Sequence, residues 1–396
     1  MKLDPAAWLD RPGIRHLLDT LDAADGACRF VGGAVRDLAL GSQISDLDLS
    51  TRFVPTEVIE RLAAAGIKAV PTGLAHGTIT AITSGTVVEV TTLRADLATD
   101  GRRATVAFTD DWAADASRRD FTINALYADP LTGEVSDPAG HGLADLDARR
   151  VRFIGEPLVR IAEDHLRILR FFRFHARFGK GAPDAPALAA CTARANDLMA
   201  LSRERIAYEL MNLLGLPDPV ATLAIMIDHG IFRPVVPEIT DPAPLAALIL
   251  AEQEAGIPAD PLRRLASLLP RDPLIAEKIA SRLKMSLKDR KRLAQAVDPT
   301  NFGSPQAYAY RLGNASAVDR LLIDARPADA ASIATWELPR LPLGGGALIA
   351  RGVPQGPLVA KTLQAIEQAW LDADFPTGDL FDAIVAETIA RILGSA

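Results

Sequence analysis

Two aspartates two residues apart, in Ser45-Asp46-Leu47-Asp48-Leu49-Ser50, are the side chains of this sequence best placed to do chemistry. Polar and apolar residues alternate there as in a half-buried strand. A period of two puts Asp46 and Asp48 on one face and Leu47 and Leu49 on the core face. Carboxylates sharing a face repel unless a cation lies between them. Hard oxygen ligands suit Mg²⁺, which takes one or two carboxylates and completes its shell with substrate phosphates. Glu89, an acid interrupting the apolar, β-branched run Thr86–Thr92, is either a third such carboxylate or an outward-facing residue.

The aspartates close a longer stretch, Cys28 to Thr51, that begins with a brief strand, Arg29-Phe30-Val31. Gly32-Gly33 ends the strand, and Ala34 to Leu40 has helical spacing. A helix N-terminus offers unpaired N–H groups, and glycines let backbone approach an anion closely. Gly32, Gly33 and Arg36 are therefore candidates to hold a triphosphate opposite a metal site. Taken singly, the glycines also read as a tight turn and the aspartates as solvated acids.

Two later stretches add charge beside apolar sequence. In Asp115 to Leu126, DASRRDFTINAL, Arg118, Arg119, Asp120 and Asn124 read as a partly buried polar set. Asp120 is placed to accept from ribose hydroxyls and the arginines to meet phosphate, or the group is a structural ion network. In Pro157 to Phe178, read as one helix, Arg160, Asp164, Arg167 and Arg170 fall on neighbouring positions of one face. Asp164 and Arg167, three apart, are spaced to pair. The same two groups could read a base. A carboxylate accepts from an exocyclic amine and a guanidinium donates to a ring nitrogen or carbonyl. Cytosine and adenine both set an amine beside an acceptor nitrogen, whereas guanine and uracil present the reverse. Such a pair would reject the wrong base by leaving buried groups unpaired.

The elements that must position these residues are of two kinds. Helices are expected at Ile14–Leu21 and Thr56–Ala65, the latter capped by Thr56, with strands at Thr78–Ile82 and Thr86–Thr92. Arg94 to Trp112, polar and weakly periodic, reads as a long loop. Asp129 to Gly133 is a hairpin turn, and helical spacing dominates from Pro157 onward. The fold class is α+β: a mixed-sheet head, then helices. The expected segments are 1–140 (head), 141–205 (neck with the base-reading helix), 206–300 (body) and 301–396 (tail). RLKMSLKDRKR carries Arg282, Lys284, Lys288, Arg290, Lys291 and Arg292, either an RNA-backbone track or one solvated helix face.

Bulk composition sets limits. The 396 residues carry net charge −7, which argues against indiscriminate nucleic-acid binding but not against a local basic track. Two cysteines make neither a disulfide framework nor a Cys-rich zinc site. No window approaches the roughly 18 apolar residues of a membrane span, so no membrane partner is expected. The N-terminus MKLDPAAWLD lacks a secretory pattern, and the protein is expected in the cytoplasm. There is no internal repeat, Walker-type loop, HExxH or Rossmann fingerprint. The oligomeric state is not legible.

In order, GGAVRD, DLD, RRDFTINA, DPAGHGLADL and EDHLRILR resemble the class II tRNA nucleotidyltransferase and bacterial poly(A) polymerase family. The Arg203-Glu204-Arg205 helix resembles its fifth motif. The resemblance implies a polymerase-β-like head followed by helical neck, body and tail that hold tRNA. It implies two Mg²⁺ ions on Asp46 and Asp48, and triphosphate on Gly32, Gly33 and Arg36. Arg119 and Asp120 would lie near the ribose, and Glu163, Asp164 and Arg167 on the base-reading helix. The stretch after Arg94 keeps Asp and Arg-Arg but departs from the aromatic-and-proline pattern of the loop that governs the CTP-to-ATP switch. The expected activity is template-independent addition of C and A from CTP and ATP to the tRNA 3′ end. Poly(A) synthesis, CC-only or A-only addition, and non-catalytic RNA binding on the same fold are the alternatives.

Overall fold

The computed structural model describes residues 1–100 and 103–394; Arg102, in the stretch read above as a loop, lies outside the described residues. The chain divides into two compact units, Met1–Pro237 and Glu238–Ala396, a coarser division than the four segments read from the sequence.

The first unit is built on a seven-stranded sheet. Its strands are β1 (Cys28–Val31), β2 (Leu47–Thr51), β3 (Lys68–Gly73), β4 (Thr78–Thr83), β5 (Thr86–Thr92), β8 (Tyr127–Ala128) and β9 (Val135–Ser136), in the order β3-β4-β5-β2-β1-β8-β9. Only β2 and β5 run parallel, with Asp48 opposite Glu89, while β1 meets β2 and β8 antiparallel. Strand β4 alternates buried and half-buried residues along its length, the signature of a sheet with one covered face. The strand–glycine–helix order holds: β1 runs into Gly32, and the helix Gly33–Ala39 follows.

Three expectations are corrected. Arg94 to Trp112 is not a loop: β6 (Arg94–Asp100) pairs antiparallel with β7 (Arg103–Phe108), and Trp112 opens the helix Trp112–Ser117. Small and polar residues hid the period of two, although Asp-Gly is itself a hairpin signal. The helix after β2 is Pro55–Ala64, with Pro55 in the first position and Val54 rather than Thr56 as cap. Proline fits there because its missing N–H has no partner to lose. Pro157 to Phe178 is two helices, Pro157–Glu163 and Arg167–Phe178. Between them Asp164 is extended, at φ −152° and ψ 106°, so helical spacing across it no longer applies.

Aromatic packing docks the second of those helices beside the sheet. Phe121 lies 5.0 Å from Phe153 and 5.2 Å from Phe174, and Phe153 stacks on Phe171 at 5.7 Å between ring centres. Burying each such ring contributes about 1.5–3 kcal/mol. The polar RRDFTIN stretch is thereby fixed against the Arg167–Phe178 helix through its one aromatic residue, Phe121.

The second unit is helical. Its helices Ala243–Ala255, Pro261–Ser267, Leu287–Val297 and Asn314–Ile323 are joined by buried ion pairs: Arg263 with Glu252 and Asp319, Arg264 with Glu252, and Arg292 with Asp319. Among the described residues no helix is long and apolar enough to cross a membrane.

Candidate active site

A cavity of about 480 Å³ in the first unit is lined by Gly32, Gly33, Arg36, Asp48, Arg94, Arg118, Arg119, Asp120, Asn124, Asp164, Arg167, Arg170 and Phe174. Six arginines against three aspartates make it a receptor for a polyanion. Gly32 holds φ +65° and ψ −119°, a conformation open to glycine alone, and its N–H donates to Leu126 O at 3.2 Å. This turn tips the chain from strand to helix at the cavity wall.

Arg36 is buried. It donates to Asp37 at 2.8 Å and to Asn124 Oδ1 at 2.5 Å, and its guanidinium lies 4.0 Å from the Phe178 ring centre. Burial pulls its pKa down, against the opposing charge of Asp37. Asn124 in turn donates to Asp120 Oδ1 at 2.9 Å, which also takes the Phe121 N–H. Arg170 donates to Asp120 Oδ2 at 2.8 and 2.5 Å and lies 3.8 Å from Glu209, which Arg173 meets at 2.6 Å. Burial opposes the Asp120 charge, but Arg170 and Asn124 hold its carboxyl below the usual range. Both oxygens of Asp120 are thus engaged within the protein. Asp120 thereby fixes Asn124 and Arg170 at the cavity wall.

Asp48 and Ser50 share a face of β2. Burial pushes the Asp48 carboxyl up to about 6, Glu89 and Asp46 add to the rise, and Arg119 and Arg36 oppose it. Asp46 and Glu89 are exposed and line a second cavity of about 450 Å³ with Arg11, Ser45 and Val87. Asp48 lines the arginine cavity, and Asp46 and Glu89, near enough to raise its pKa, line the second. Among the described residues no group of three His, Cys, Asp or Glu side chains is arranged to hold a metal. A buried carboxylate with its pKa raised by burial and by acidic neighbours nonetheless suits a divalent cation that takes its other ligands from phosphates.

Asp164 and Arg167 both line the first cavity but have different partners. Arg205, from the helix Arg203–Leu214, meets Asp164 Oδ2 at 2.7 Å. Arg167 donates to Glu163 at 2.5 Å, to Arg160 O at 3.0 Å and to Arg118 O at 3.2 Å. Arg160 also meets Glu163, at 2.9 Å.

The sequence reading missed Arg94, Asp115, Tyr127, Phe174, Arg205 and Glu209 as parts of this site. Phe174 had a legible signal, lying four residues beyond Arg170 on one helix. Tyr127, inside a buried strand, had none.

The basic stretch Arg282–Arg292 is only partly available. Arg282 is paired with Glu238 at 2.7 Å, and Arg292 with Asp319 at 2.6 Å and Asp260 at 2.7 Å. Lys284 sits between helices, Arg290 is half-buried, and Lys288 and Lys291 are exposed on Leu287–Val297.

Residues 28–152 match the family described as the poly A polymerase head domain, and residues 184–241 match the probable RNA and SrmB-binding site of polymerase A. The first unit thus carries a nucleotidyltransferase head. Over 391 residues the chain is 32% identical to the mitochondrial CCA tRNA nucleotidyltransferase 1 of Mus musculus, covering 90% of this chain and 86% of that one. It is 34% identical to the CCA-adding enzyme of Lacticaseibacillus paracasei over 370 residues, 89% of this chain and 90% of that one. In fold it resembles the Bacillus stearothermophilus CCA-adding enzyme solved in complex with CTP, with TM-score 0.73, 24% identity and coverage of 97% of this chain and 100% of that one. The chain belongs to the CCA-adding enzyme family of nucleotidyltransferases.

Proposed function

We propose that this protein adds C, C and A, from CTP and ATP, to the 3′ end of tRNA without a nucleic-acid template. One observation carries the reading: a single cavity gathers a glycine turn, six arginines, Asp48 and the separately held Asp164 and Arg167. The 3′-hydroxyl of the RNA attacks the α-phosphate, a new P–O bond forms, and pyrophosphate leaves with the displaced bridging oxygen. Gly32 and Gly33 let backbone approach the triphosphate, and Arg119 and its neighbours neutralise it. Asp164 accepts from the exocyclic amine shared by cytosine and adenine, and Arg167 donates to the adjacent ring nitrogen. Asp46 and Asp48 would hold the divalent metal, two Mg²⁺ ions in this reading, which when bound acidifies the attacking hydroxyl and offsets phosphate charge. Glu89, opposite Asp48 in the β2–β5 pairing, would be a third carboxylate for that cation. Lys288 and Lys291 contact RNA phosphates. Both cysteines are free and buried, which accords with work in a reducing cytoplasm.

The test is incorporation of labelled nucleotide into tRNA by wild type, Asp46→Ala and Asp48→Ala. Activity in wild type and none in either variant, with folding and tRNA binding retained, supports the reading. Turnover by both variants contradicts it.

A further inference from the structure

Tyr127 is fully buried in β8, yet its hydroxyl joins a closed set of polar contacts just behind the cavity. The hydroxyl donates to Asp115 Oδ2 at 2.7 Å and accepts from Arg119 Nε at 3.2 Å. The same Asp115 oxygen takes Arg119 Nη2 at 2.9 Å, and Nη2 also reaches Ser50 Oγ at 3.3 Å. Asp115 Oδ1 takes the backbone N–H of Arg94 at 3.1 Å. Trp112 packs edge-on against the Tyr127 ring at 5.3 Å. Two of the three Arg119 nitrogens are thereby fixed from behind. The third, Nη1, is the one beside Gly32: a Cβ built on that glycine would lie 3.8 Å from it. Tyr127 itself does not line the cavity.

We propose that Tyr127 is a positioning residue. With Asp115 it locks the Arg119 guanidinium so that Nη1 faces the glycine turn, where it donates to the nucleoside triphosphate. The inference rests on the nucleotide-site reading above. A planar guanidinium held on two nitrogens presents the third at a fixed angle, which lowers the cost of ordering it when an anion arrives. The hydroxyl is the only part of Tyr127 that this role needs, so the ring alone keeps the packing.

CTP affinity measured by calorimetry, in wild type, Tyr127→Phe, Arg119→Lys and the double variant, tests the inference. Tyr127→Phe is expected to weaken CTP about fivefold, to raise KM for CTP and ATP alike by a similar factor, and to leave kcat within about twofold. In the Arg119→Lys background the same change is expected to have no further effect, because a lysine cannot use the fixed geometry. Ser50→Ala, which removes a second acceptor from Arg119 Nη2, is expected to weaken CTP as well and serves if Tyr127→Phe does not fold. Unchanged CTP affinity in Tyr127→Phe, or an equal loss in both backgrounds, overturns the inference and leaves the nucleotide site standing. Wild-type protein that binds neither CTP nor ATP overturns both.

Discussion

Asp164 and Arg167 stand three residues apart and their side chains do not pair with each other: Arg205 holds the first at 2.7 Å and Glu163 the second at 2.5 Å. The break between helices at Asp164 makes this possible. Had one helix run through, the two side chains would neutralise each other and have less to offer a base. Arg205 is about half exposed, so its pair with Asp164 contributes only about 0–1 kcal/mol to folding. Arg205→Ala is therefore expected to leave the unfolding midpoint nearly unchanged. It should lower kcat/KM for CTP and ATP about tenfold and raise misincorporation of U and G. Steady-state incorporation with each nucleotide, beside a urea titration, measures both.

Asp48 links stability to metal and pH. Its carboxyl ordinarily titrates near 3.8 and in the folded chain near 6. A folded-state pKa above the unfolded value gives stability that is full below the unfolded pKa and lost as pH rises through the folded one. With metal chelated, the protein should lose stability between about pH 4 and pH 6 from this group. Asp48→Asn should remove that loss and raise the chelated protein's midpoint at pH 8 while abolishing incorporation. Urea midpoints across pH in a chelating buffer decide the point.

The adjacent glycines should behave differently. A Cβ on either finds its nearest neighbour at 3.8 Å, so neither lacks room. Gly32, however, holds positive φ, whereas Gly33 is the first residue of a helix. Gly32→Ala is expected to cost about 1–3 kcal/mol from backbone strain and to displace the turn beside Arg119. Gly33→Ala is expected to be near neutral in stability. Thermal midpoints of the two variants are the check.

Much of this site was legible because it is written in short local patterns. The strand–glycine–glycine–helix order, the DLD alternation and the RRDFTIN stretch each sit within a dozen residues; the first formed where the spacing placed it, whereas the DLD strand begins at Leu47 and leaves Asp46 outside it. What was not legible depends on tertiary partners. No local pattern shows that Asp120 is committed to Arg170 fifty residues on, or that Asp164 is held by Arg205. The spacing of Asp164 and Arg167 misled because helical periodicity continues across a break that only backbone angles reveal. The basic run near residue 290 shows positive charge in sequence but not the Asp319 that pairs with Arg292.

That last pairing sets structural charge apart from the charge proposed to meet RNA. Asp319 is buried with Arg263 and Arg292 on it, so Asp319→Ala leaves Arg263 to Glu252 and Arg292 to Asp260 and should cost about 1.5–3 kcal/mol in urea denaturation. Lys288→Ala with Lys291→Ala should leave stability unchanged. It should reduce the slope of log affinity against log salt for tRNA by up to about two, roughly 0.9 per lost phosphate contact. Filter binding across salt concentrations measures the slope.

The central claim is that a fixed protein site, without template, chooses C and A and stops. The most direct test gives purified protein a tRNA lacking its last three nucleotides, with CTP alone, ATP alone and both, and sequences the 3′ ends. The expected products are two added C with CTP alone, no addition with ATP alone, and a single CCA end with both. A run of A from ATP alone, or RNA binding with no addition under any condition, would contradict the account.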